Sequence, residues 1–260
     1  IDIASMNFGA IDLAAPIPLS ARLTVVSISG SWSNGVAVVN SDMGLNRAAN
    51  EDGPYEQFNI GIAPQDPVDT SVIMNAFDLD GNDDTTNEHT ALGSTRIRFG
   101  RLFIGSAFGS ELLPLQLPFR TEYFDGTNFI VNTDDACTGF DAATDLILSN
   151  VIEAGQMDGD ILITAAGVCP EPGAGCSMAS ISNNPVNSGD AGLSFSAPDQ
   201  ANTGHADVSV DLSMATGLDM EWLFYDWDGD GMFDDNPIGR VSFGVFKGRS
   251  EFIYLREPWN

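Results

Sequence analysis

Basic residues are scarce in this chain. Ten Lys and Arg stand against 37 Asp and Glu, the formal charge is −27, and Lys247 is the only lysine. Recognition of a phosphate backbone needs a basic face, so this balance argues against nucleic acid, and against an anionic membrane surface for the same reason. Histidine is equally sparse. His89 and His205 stand alone in polar surroundings and read as surface residues, not catalytic bases. Neither falls in ligand spacing with a cysteine, which argues against zinc. No apolar run approaches the ~18–20 residues of a membrane-spanning helix. The chain has no Gly-x-Ser-x-Gly elbow and no phosphate-cradling glycine loop. A carboxylate pair for sugar hydrolysis would have to come from among 37 acids, and nothing in the sequence selects one. The expectation is therefore a protein without catalysis.

Apolar residues make up 43% of the 260 residues, enough for a core and too many for a disordered chain. The acids are lopsided, with 27 Asp and 10 Glu. Glu suits helices, whereas Asp suits turns and loops that hold hard cations. Poverty in lysine and wealth in Asp fit an exported protein. The chain starts at Ile1 without a signal segment, so the expectation is a mature form or an ordered fragment of a longer precursor.

Gly, Pro, Asn, Asp and Ser recur about every ten residues, with short apolar or alternating runs between them. Strands are expected at 21–28, 35–39, 95–104, 115–123, 129–132, 192–195, 206–212, 241–246 and 251–256. In the 95–104 run the alternation places Ile97, Phe99 and Phe103 on one face and Arg96, Arg98 and Arg101 on or near the other. Residues 141–154 read equally well as a helix or as strands. The fold class that follows is all-β, one or more immunoglobulin-like β-sandwiches with long loops and at most one short helix. The expected division is 1–85 and 86–260, with an alternative break in the Pro- and Gly-rich stretch 167–189.

The sharpest motif is Asp226-Trp227-Asp228-Gly229-Asp230-Gly231-Met232-Phe233-Asp234-Asp235. Counting Asp226 as position 1, oxygens fall at 1, 3, 5 and 9, as in a calcium loop, with Gly231 at the sharp turn and the Met232 carbonyl available at 7. Crowded carboxylates repel one another, and a divalent ion removes the repulsion. Calcium accepts ~6–8 oxygens at loose geometry. Position 12 is Pro237, where an EF-hand needs a bidentate Glu, and the flanks 222–224 and 241–243 read as strands. The expectation is a calcium loop in a β context, with Asp235 supplying a further oxygen; the alternative is an acidic turn without metal. Asp78, Asp80 and Asn82 repeat the 1-3-5 pattern more weakly, with Asp83 in place of the turn glycine. Asp134 and Asp135 read as a turn or cap.

Three cysteines leave the redox pattern open. Cys169 and Cys176 bracket a short loop that a disulfide could close, Cys137 could pair with either, or all three could be reduced.

Several motifs in order carry a family resemblance: Arg98-Phe99-Gly100-Arg101-Leu102, Gly109-Ser110-Glu111-Leu112-Leu113-Pro114, Asp134-Asp135-Ala136-Cys137-Thr138, the Asp226 loop, Gly239-Arg240-Val241-Ser242-Phe243-Gly244 and Ile253-Tyr254-Leu255-Arg256-Glu257. Over roughly residues 45–257 the chain resembles the C-terminal region of the MshQ family, large exported bacterial proteins associated with biogenesis of the MSHA pilus, and the resemblance implies a secreted chain, extracellular or on the cell surface of a bacterium. The resemblance implies a surface role in pili or adhesion and a structural disulfide from Cys137. Expected partners are other copies of the chain, pilus or surface proteins met by strand addition at residues 1–8, or glycans.

Overall fold

The computed structural model describes residues 6–15, 17–63, 90–153, 162–164, 175–199, 202–213 and 220–244. These divide into two compact units, one within Ile1–Gly100 and Tyr123–Ile130, the other within Arg101–Glu122 and Val131–Asn260. The expected boundary at residue 85 lies outside the described residues, as does part of the alternative at 167–189.

The described chain is all-β. Its strands are β1 (Asn7–Asp12), β2 (Ile17–Pro18), β3 (Leu23–Ser33), β4 (Val36–Leu45), β5 (Tyr55–Ala63), β6 (Thr90–Ile97), β7 (Gly100–Ile104), β8 (Ala107–Gly109) and β9 (Leu115–Leu117), followed by β10 (Phe119–Phe124), β11 (Phe129–Val131), β12 (Leu146–Glu153), β13 (Leu162–Thr164), β14 (Cys176–Ile181), β15 (Leu193–Phe195), β16 (Gly204–Val210) and β17 (Ile238–Phe243). The helical content among these residues is two three-residue 3-10 turns, Ser20–Arg22 and Glu221–Leu223. None of it is long and apolar enough to cross a membrane.

In the first unit a four-stranded sheet runs β2-β1-β5-β6, antiparallel throughout. β1 pairs along its whole length with β5, and its other edge is engaged by β2 at Ile11 and Asp12. Of the segment expected to add to a partner sheet, residues 1–5 lie outside the described residues. Beside this sheet β3 and β4 form a separate hairpin, turned at Asn34-Gly35 with both residues at positive φ, 50° and 80°. The core cluster of this unit is small: Ala10, Leu19, Tyr55 and Phe58.

The second unit contains two four-stranded sheets, β12-β16-β17-β8 and β13-β14-β15-β9. Most pairings are antiparallel; β17–β8 and β13–β14 are parallel. Alternation explains the burial. In β16, Ala206, Val208 and Val210 are fully buried and the residues between them are not. They join Leu102, Phe119, Phe140, Leu193, Phe195, Leu223 and Val241 in one large core cluster. A third sheet, β11-β10-β7, brings Arg101 and Phe103 of β7 beside Arg120 and Glu122 of β10.

Two local expectations change. The 95–104 run breaks at Arg98 and Phe99 into β6 and β7, which belong to different sheets. The alternation restarts at the break, so Leu102 and Ile104 are buried while Arg101 and Phe103 share the other face. Residues 222–224, expected as strand, fall in and just after the 3-10 turn, because the fully buried Leu223 donates its N–H to Met220 O at 2.8 Å. Of the segment 141–154, Leu146–Glu153 is strand, preceded by a turn in which Asp145 accepts the N–H of Asp141 at 2.7 Å.

Candidate metal centre

The Asp226 loop is closed at its base by a two-way backbone pair. Tyr225 N donates to Asp235 O at 3.3 Å, and Asp235 N donates to Tyr225 O at 3.1 Å. Inside that closure the carboxylates accept the loop's own amides. Asp226 Oδ1 takes the N–H of Gly229 at 2.7 Å and of Asp230 at 3.0 Å, and its Oδ2 takes that of Gly231 at 3.0 Å. Asp235 Oδ2 takes Trp227 N–H at 2.8 Å and Asp228 N–H at 3.1 Å. Gly229 and Gly231 sit at φ +81° and +90°, a region that residues with a Cβ avoid. The spacing of glycine and aspartate thus dictates the loop: the glycines allow the turns, and the aspartates hold them.

One carboxylate oxygen from each of Asp226, Asp228 and Asp235 lies within 4.8 Å of the others. That separation suits three hard oxygens around one ion at ~2.3–2.6 Å, and the donor set is the type calcium takes. Asp230 and Asp234 lie outside the group. Asp230 Oδ1 instead accepts Met232 N–H at 2.8 Å, and Met232 is exposed. Asp78, Asp80 and Asn82 lie outside the described residues.

The loop is fastened to the sheet behind it by side chains that motif reading did not single out. The Arg101 guanidinium stands 4.8 Å from the Tyr225 ring centre and 4.9 Å from that of Trp227. Its Nε and Nη2 donate to Glu122 Oε2 at 2.9 and 2.8 Å. Glu122, only 3% exposed, also accepts from Arg120 Nε at 2.8 Å, and Arg120 covers the Phe103 ring at 4.8 Å. Tyr225 packs edge-on against Trp227 with centroids 5.0 Å apart. At the loop's exit, Asn236 Oδ1 accepts Leu212 N–H at 3.0 Å. The signal in the sequence was the Arg101-x-Phe103 pair, whose facing became legible only once the strand break at 98–99 was known.

Asp135 is a cap, as expected. Buried at 5% exposure, it accepts Thr121 Oγ1 at 2.8 Å, Thr138 Oγ1 at 2.7 Å and the N–H groups of Cys137 and Thr138. Burial works to raise its pKa, but the hydrogen bonds from Thr138, Thr121 and Cys137 outweigh that and hold the carboxyl below its ordinary value. In the same turn Cys137 is an exposed free thiol, its Sγ 3.7 Å from Asp135 Oδ1. The disulfide from Cys137 that the family resemblance implied is not formed, because this turn presents the thiol outward. Cys169 lies outside the described residues, and Cys176 is buried at the start of β14. His205 lies in β16 opposite Ser242, and His89 is outside the described residues.

A polar cleft of about 470 Å³ opens elsewhere on the second unit, among Gln116, Arg120, Ser182, Asp190 and Ser194. Arg120 and Asp190 oppose each other across an isolated bridge, yet Arg120 pairs with Glu122, and Asp190 Oδ1 accepts Gly192 N–H at 2.7 Å.

No curated protein and no solved structure matches this chain. The family model described as DUF6701, fourth domain, matches residues 98–258, well over half of the chain, and the chain therefore belongs to that family of domains of unknown function.

Proposed function

We propose that this chain is a non-catalytic module of a large exported bacterial surface protein, stabilised by calcium and working through binding or assembly in a pilus-associated or adhesive structure of the MshQ kind. The observation that supports it best is the convergence of Asp226, Asp228 and Asp235 in a loop whose backbone amides already orient the carboxylates. A bound calcium would offset two of the three negative charges of Asp226, Asp228 and Asp235 and reinforce the backbone bridge between Tyr225 and Asp235. A disulfide between Cys169 and Cys176 belongs to the same reading, since Cys176 is buried and is not a free thiol.

The test is thermal unfolding in calcium and in chelator. At calcium a hundredfold above Kd, binding to the folded state contributes about 2.7 kcal/mol, which raises Tm by roughly 5–10 °C in a domain of this size. Asp228→Ala should remove that gain and leave the melt in chelator nearly unchanged. Equal losses in both media would assign Asp228 to the turn alone and end the calcium reading.

The polar cleft favours a second reading, glycan binding. Arg120 is held from behind by Glu122 and Phe103, beside the Asp190 carboxyl and the Ser182 and Ser194 hydroxyls. Such a set suits a polyhydroxylated ligand. Titration with neutral monosaccharides, followed by amide NMR shifts, tests it: shifts at Gly192 and Ser194 that vanish in Asp190→Asn support the reading, and their absence removes it.

A further inference from the structure

Five acidic side chains are buried among the described residues, Asp12, Glu111, Glu122, Asp135 and Asp145. Four of them are hydrogen-bonded: Asp12 accepts Gln57 N–H at 2.8 Å, and Glu122, Asp135 and Asp145 hold the partners given above. Glu111 is the exception. The residue is 6% exposed, and its Oε2 is shut away from solvent without a hydrogen bond. Burying a carboxylate is costly unless a cation or donor meets it. Its position therefore calls for a partner.

Glu111 stands in the turn after β8. Ser110 Oγ accepts Leu112 N–H there at 3.1 Å, and Asp199 N donates to Glu111 O at 3.1 Å. Leu112 and Leu113 of the same turn are exposed. β8 pairs in parallel with β17, with Phe243 opposite Gly109, and Gly244 N donates to Gly109 O at 2.9 Å. Parallel strands leave a sheet at the same end. The chain thus passes Gly244 heading the same way as it passes Gly109, two residues before Glu111.

Counting cations narrows the choice of partner. The chain has ten Lys and Arg side chains. Seven are among the described residues, and each is already engaged, as Arg22 is by Asp52, Arg101 and Arg120 by Glu122, and Arg240 by Asp207. The other three are Lys247, Arg249 and Arg256, which lie outside the described residues. They share the segment 245–256 with Val245, Phe246, Phe252, Ile253, Tyr254 and Leu255. Its one acid, Glu251, leaves that segment at three minus one, or +2, in a chain of −27. Lys247 comes first, three residues after Gly244, within about 10 Å of extended chain. Glu111 is about 7 Å of chain beyond Gly109 on the neighbouring strand, so the four-carbon lysine stem spans what remains.

From this we infer that the turn 110–113 is the docking site of the chain's own segment 245–256, with the Lys247 ammonium seated on the Glu111 carboxylate. Charge selects a cation, the engagement of the seven arginines selects this segment, and reach selects Lys247. The apolar neighbours of Lys247 cover Leu112 and Leu113. This contact is independent of the calcium and assembly readings above.

Lys247 is itself the probe, because a lysine-specific endoprotease can cut this chain at one bond, between Lys247 and Gly248. Cleavage of the folded full chain should be slow. Glu111→Gln keeps the shape and removes the charge, and should speed cleavage at least tenfold with near-UV circular dichroism unchanged. Equal rates in the two proteins overturn the inference. Denaturant unfolding supplies a second reading that does not need Glu111→Gln to fold alone. Lys247→Met leaves the carboxylate uncompensated and should lower the folding equilibrium constant about a hundredfold. Adding Glu111→Gln in that background should recover most of the loss. A neutral Lys247→Met, or a loss that Glu111→Gln does not recover, overturns the pair. Loss and recovery seen with Arg249→Met instead overturn it in favour of Arg249.

Discussion

In β16 every second residue from Ala206 to Val210 is fully buried, whereas β3 buries none of its residues and only Leu23 and Ile28 are even half-buried. Both strands are rich in β-branched residues, and both alternate over much of their length. The difference lies in what stands opposite. β16 contributes to a core that draws on β7, β10, β15 and β17, so its apolar set meets another apolar set. β3 pairs only with β4, and beyond the base of that hairpin the described residues supply no second layer. A two-stranded ribbon alone is marginal in water. Strand propensity therefore made both elements, but only one of them became core, and the other is left as surface with an apolar face.

The sharpest way to break this comparison is truncation in the large core. Phe195→Ala removes a fully buried ring and should cost about 3–5 kcal/mol, read by denaturant unfolding. Next comes Glu122→Ala, which leaves Arg101 and Arg120 facing a buried gap and should cost about 3 kcal/mol. It should also release Trp227, seen as a red shift in its fluorescence. Arg101→Lys tests the stacking separately, since lysine keeps the charge but loses the planar fork. Acid is a gentler probe. Asp135 has a depressed pKa in the folded state, so the stability it contributes is present above its unfolded value of about 3.9 and is lost as pH falls through the lower folded value. Asp135→Asn should flatten unfolding in that window and lower stability near neutral pH. At the small end, Val26→Thr on the exposed hairpin should change monomer stability by no more than about 0.5 kcal/mol. A large loss there would show that the hairpin is packed in solution, and the contrast with β16 would fail.

Much of this was legible beforehand. The all-β class followed from short alternating runs between turn residues, and the strands expected at 129–132, 192–195 and 206–212 stand within two residues of β11, β15 and β16. The Asp226 loop was readable because its chemistry is local: glycines at positive φ and aspartates accepting amides two to five residues ahead need nothing from the rest of the chain. Which of these carboxylates converge was not local. Asp235, nine residues after Asp226, is held by the 225–235 bridge, and one of its oxygens comes within 4.8 Å of oxygens of Asp226 and Asp228. Cys137 shows the same limit, since its turn is held by Thr121 from a distant strand through Asp135.

Periodicity, turn chemistry and charge are properties of neighbours along the chain, so the amino-acid order alone determined the strand-rich class, the acidic loop and the mismatch with basic-surface functions. Which apolar stripes are covered, which arginine backs the loop and which thiol faces water depend on pairing across long separations, as Arg101 with Trp227. Those outcomes are set by competition among many strands for the same partners, and only the assembled sheets resolve it.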